Sequence, residues 1–124
     1  MSLTEELPIY KASYDMVLVI FQLVKNFNKE YKYTIGESIK NETIKLITNI
    51  YRANCSRNKI EYLNTARENL EVIRLYIRLT KNLHQISVKQ LAYVSLHIEN
   101  ISKQLAGWYK SQNKVTNERK TEQQ

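Results

Sequence analysis

Apolar residues recur at helical spacing in four long segments of this chain, and only short polar breaks separate them. That pattern leaves few folds open. Two glycines and one proline in 124 residues give little punctuation for the many turns of a sandwich or barrel. A single chain of this length makes one domain with a true apolar core.

The first segment begins near Pro8, which suits a first helical turn because its missing N–H would be unbonded there anyway. Ile9, Met16, Ile20, Leu23, Val24 and Phe27 share one side. Tyr10, Tyr14, Leu18 and Phe21 widen the stripe, while Lys11, Asp15, Gln22 and Lys29 form a narrow polar arc. The string "YKYTIGE" breaks the pattern, with Thr34 and Gly36 marking a turn or a fresh helix start. A second helix carries Ile39, Leu46, Ile47, Ile50 and Ala53 inward, with Lys45, Thr48 and Arg52 outward.

After the polar turn "NCSRNK", a third helix is expected over residues 59–82. The string "HQIS" ends it, and Ser87 is a plausible N-cap for a fourth helix. Val88, Leu91, Ile98, Leu105 and Tyr109 line one edge of that helix. Residues 111–124 are polar apart from Val115, either a tail or an extension of the fourth helix. The expectation is an all-α, antiparallel up-down-up-down four-helix bundle over residues 8–110, preceded by an arm over residues 1–7.

The third helix poses a question of its own. Leu63, Ala66, Leu70, Ile73 and Ile77 form one stripe, and Val72, Leu75, Tyr76, Leu79 and Leu83 a second, broadly opposite. Arg67, Arg74, Arg78 and Lys81 fall in the gap, within about 60° of one another at 100° per residue. Glu71 and Glu68 are within reach for weak helical ion pairs. A bundle helix usually needs one apolar stripe, so the second points to another subunit, with Val72, Leu75, Tyr76 and Leu79 at the interface. Symmetry would then repeat the basic row around an axis.

Charge agrees with a polyanionic partner. The formal net charge is +7; the first seven residues hold two acids and the last fourteen a surplus of one positive charge, which leaves the body at +8.

Catalysis finds little in these residues. Asp15 is the only aspartate, and no HExxH, CxxC or Gly-rich phosphate loop occurs. His84 and His97 lack acidic or cysteine partners at ligand spacing, so no metal or cofactor is expected. Trp108 and Tyr109 are placed to close one end of the bundle. Cys55 is the only cysteine, which fits a reduced, cytoplasmic setting. The longest apolar run, "MVLVIF", is far too short to cross a bilayer. Glu5 and Glu6, with no basic region before an apolar stretch, argue against a secretory signal.

The strings "LPIYKASYDMVLVIF", "EYKYTIGE", "IYRAN", "ARENLEVIRLYIRL" and "ISKQLAGWYK" occur here in this order. Together they resemble the four-helix-bundle proteins encoded in intervening sequences of bacterial 23S ribosomal RNA genes. Within that family they are most similar to the Avd branch, the accessory variability determinants of diversity-generating retroelements. The resemblance implies a non-catalytic homopentameric barrel with a positively charged surface. It also implies binding to a reverse transcriptase and to nucleic acid, RNA or an RNA/DNA hybrid, in support of mutagenic copying. The basic positions it points to are Lys25, Lys29, Lys32, Arg52, Arg67, Arg74 and Arg78, to which the shared face adds Lys81. The alternative is a stand-alone intervening-sequence protein acting as an oligomeric RNA- or protein-binding module.

Overall fold

The computed structural model describes residues 7–123. It holds four long helices and one single-turn helix: α1 (Pro8–Lys25), α2 (Lys29–Lys32), α3 (Ile35–Cys55), α4 (Lys59–Asn82) and α5 (Val88–Gln123). Short connections make successive long helices antiparallel neighbours, and α1 also packs on α5, which closes a four-helix bundle. Most of the expected arm, residues 1–6, lies outside the described residues.

The long helices bury apolar residues at helical spacing in one shared core. Met16, Ile20 and Val24 of α1 meet Ile39, Leu46 and Ile50 of α3, Leu63, Leu70 and Ile73 of α4, and Ile98, Ile101 and Leu105 of α5. Phe27 and Ile86 cover one end of this core. Both sit in connections, not on helices; α1 stops at Lys25, so Phe27 and Lys29 are not part of it. The Asn28 N–H donates to Gln85 Oε1 at 2.7 Å and ties these two connections together.

The starts and stops have local causes. Ser87 caps α5: the Gln90 N–H donates to Ser87 Oγ at 3.0 Å, and Gln90 Oε1 accepts from the Ser87 N–H at 2.8 Å. This is a reciprocal capping box. Lys59 closes α3 from the other side of the turn, its Nζ donating to the carbonyls of Ala53, Asn54 and Ser56. Gly36 is buried in the first turn of α3; a Cβ there would lie 2.7 Å from Val24 Cγ1. Only glycine lets α3 start so close to α1.

Two expectations need correction. Val88 does not line the core: as the first residue of α5 it is 69% exposed, and Val94 and Ile101 take the inward positions instead. The second stripe of α4 is divided: Leu75, Leu79 and Leu83 are exposed, but Tyr76 is not. Asn69 bonds to Glu42 and Asn49 of α3, which marks the α3 flank of α4. Tyr76 lies beside that flank at helical spacing and packs against the chain's own core. The reason is that α4 has two neighbours, so its contact surface is broad.

Residues 111–123 are helical, as the end of α5. At about 1.5 Å per residue, α5 spans roughly 54 Å and α1 roughly 27 Å. Leu105 is the last fully buried residue of α5, and Trp108 and Tyr109 pack half-buried on the core beside it. Beyond Tyr109 the helix projects past the bundle.

Candidate functional site

The basic row of α4 lies on the flank facing α5. Arg74 donates to Glu99 of α5 and pairs with Glu71 of its own helix, Nε to Oε2 at 3.5 Å. The hydrogen bond to Glu99 raises the Arg74 pKa above the ordinary guanidinium value; desolvation opposes this and the Glu71 charge adds to it. Arg74 is therefore a fixed cation whose charge is already answered by two carboxylates. Arg67 lies seven residues earlier with its guanidinium 4.7 Å from the centroid of the Tyr109 ring, a cation–π contact across the same seam. Glu68 makes no ion pair with either arginine among the described residues.

Arg78 is one turn further on. It is exposed and has no ion-pair partner among the described residues. Lys81 is half-buried in the last turn of α4. The four positions therefore share a flank but not a state: Arg67 and Arg74 are engaged within the chain, and Arg78 is free.

The remaining basic positions are divided between the two ends of the bundle. Lys25 is in the last turn of α1, and Lys29 and Lys32 form part of the α2 turn beside it. The C-terminus of α4, with Lys81, lies at this same end, where Asn28 meets Gln85. Arg52 is in the last turn of α3, at the opposite end. Lys25, Arg52 and Lys81 each also complement a helix C-terminus, where a cation meets the negative end of the helix dipole.

Of the four expected interface residues, Leu75 and Leu79 are 51% and 41% exposed. Val72 is half-buried, and Tyr76 is committed to the core. A further apolar surface lies in the groove between α1 and α3, lined by Tyr10, Tyr14, Val17, Ile44, Ile47, Thr48 and Tyr51. The α1 tyrosines stand out in the sequence; the α3 contribution does not. Ile44, Ile47 and Tyr51 follow i, i+3, i+7 spacing, but the adjoining core stripe of Leu46 and Ile50 hides it.

Among the described residues, no group of three His, Cys, Asp or Glu side chains could hold a metal ion. His97 meets Tyr93 edge to face at 5.0 Å, and His84 adopts a left-handed backbone (φ 59°) in the break before α5. Cys55 is exposed. No helix among the described residues is long and apolar enough to cross a membrane.

A model of the bAvd-like family matches residues 7–112, most of the chain. The chain belongs to the bAvd-like family. Its fold is similar to the crystal structure of a protein of unknown function from the S23 ribosomal protein family of Bacteroides thetaiotaomicron, with a TM-score of 0.76 at 19% identity. That alignment covers 82% of this chain and 98% of the other. No curated protein matches. The bAvd-like match ends at residue 112, so the outer part of α5 lies beyond it.

Proposed function

We propose that this bAvd-like chain is a non-catalytic, nucleic-acid-binding accessory protein that assists the reverse transcriptase of a diversity-generating retroelement in mutagenic copying of RNA. Membership of the bAvd-like family carries the reading. The positive body supports it, because Arg78, Lys25, Lys29 and Lys32 offer cations that no acid of the chain neutralises among the described residues. Phosphate is the natural ligand for such groups, and arginine can hold two phosphate oxygens at once. In this reading the protein works as a homo-oligomer, with a pentamer as the expected form and Leu75 and Leu79 at the contact between copies. It acts in the cytoplasm and needs no cofactor. No base-reading element accompanies the cations, so binding has little sequence preference.

The test is RNA binding by the purified protein, followed by fluorescence anisotropy between about 50 and 200 mM salt. Affinity is expected to fall steeply with salt, because each neutralised phosphate releases counterions. Binding that is absent at low salt would overturn the reading. The genomic neighbourhood decides the context: a reverse transcriptase gene beside an imperfect repeat supports the retroelement role. A gene inside a ribosomal RNA intervening sequence supports the stand-alone module.

A further inference from the structure

We propose that the groove between α1 and α3 is a stacking platform for single-stranded nucleic acid, an inference that rests on the nucleic-acid-binding reading above. Tyr10 and Tyr14 of α1 and Tyr51 of α3 line this groove over a floor that includes Val17, Ile44 and Ile47. Tyr14 and Tyr51 are 50% and 51% exposed, so aromatic surface faces water on both walls. The Tyr10 and Tyr14 rings stand 6.4 Å apart and tilted by 35°, so neither covers the other's face by parallel stacking.

The chemistry of the groove favours bases over an apolar helix. A helix laid into it would bring three phenol hydroxyls out of water, each then needing a partner. A base stacked on a tyrosine ring leaves the hydroxyl edge wet. Stacking of this kind is indifferent to sequence, since every base has a π-face.

Charge around the groove points the same way. The acids at the flanks of the groove are matched by lysines: Asp15 with Lys11 at 3.0 Å and Glu37 with Lys40 at 2.7 Å. Lys25 and Arg52 are exposed and have no acidic partner among the described residues. Arg52 directly follows Tyr51 at one end of the groove, and Lys25 lies eight residues beyond Val17, in the last turn of α1. Aromatic walls with a cation beside them match the requirements of a single strand: bases on the rings and a phosphate on Arg52. The groove runs roughly 10 Å along α1, from Tyr10 to Val17.

The decisive comparison uses a fluorescein-labelled oligoadenylate of about twelve nucleotides and an RNA duplex of the same length. In the double variant Tyr14→Leu/Tyr51→Leu, single-strand affinity is expected to fall about tenfold or more while duplex affinity holds. Tyr14→Phe/Tyr51→Phe should bind the single strand as the wild type does, since the rings remain. Circular dichroism monitors folding of both variants. In the unaltered protein, an iodouridine-substituted strand should photo-cross-link to Tyr14 or Tyr51. Wild-type binding that the leucine variant retains in full sinks the groove but leaves the general reading standing. Wild-type protein that binds neither probe sinks both. Cross-links confined to α4, or a leucine variant that loses oligomer size in light scattering, would assign the strand elsewhere or the groove to a second copy, and either overturns the proposal.

Discussion

Arg74 on α4 bridges Glu99 on α5 and Glu71 on its own helix, so the most central arginine of the basic row is also the one most completely neutralised. Its side chain is 29% exposed and that of Glu99 56%, a setting in which such pairs contribute at most about 1 kcal/mol to stability. The pair matters more for what Arg74 can bind.

Arg78 and Arg74 should therefore differ. Arg78→Gln is expected to weaken RNA binding and make its salt slope shallower by about one. Arg74→Gln should do less, because its charge is already answered. Glu99→Gln should strengthen RNA binding by releasing Arg74. Anisotropy titrations across a salt series check all three, and a larger loss from Arg74→Gln than from Arg78→Gln would contradict the ordering.

Assembly is the second expectation. Light scattering at micromolar concentration should show a species larger than the 14.7 kDa chain. Leu75→Glu or Leu79→Glu should shift it toward monomer without unfolding it, since both side chains are exposed within one chain while an unpaired charge buried at a contact costs several kcal/mol. Tyr76→Glu should unfold the chain instead, because Tyr76 packs on the core. A wild-type monomer in solution would end the idea.

Gly36→Ala tests the close approach of α1 and α3. The added methyl would meet Val24 Cγ1 at 2.7 Å and the Tyr31 carbonyl oxygen at 3.1 Å. A loss of about 1–3 kcal/mol is expected, seen as a melting temperature lower by several degrees at equal protein concentration. An unchanged melting temperature would show that Val24 moves aside freely.

Asn69→Ala probes the polar link between α3 and α4. The Asn69 amide donates to Glu42 Oε2 at 3.1 Å and accepts from Asn49 Nδ2 at 2.9 Å. Removing it leaves two part-buried groups without this partner, at a cost of about 1–3 kcal/mol in urea unfolding. If the urea midpoint stays in place, water has replaced the amide.

The four long helices are legible in the amino-acid order, because the apolar period, the Ser87 cap and the breaks at Gly36 and "NCSRNK" are local signals that neighbours reinforce. The inward stripes of α1, α3 and α4 are legible there too, since a stripe at helical spacing has only one way to leave water. The length of α5 stayed open, as a polar segment carries no period to extend or end a helix. Which cations are free depends on packing between helices. Arg67 and Arg74 look identical to Arg78 along the chain, yet Tyr109 and Glu99 reach two of them from α5, some 25 to 42 residues away in sequence. The α1–α3 groove has the same origin: its tyrosines belong to separate helices, and a surface made by two helices exists only once they pack.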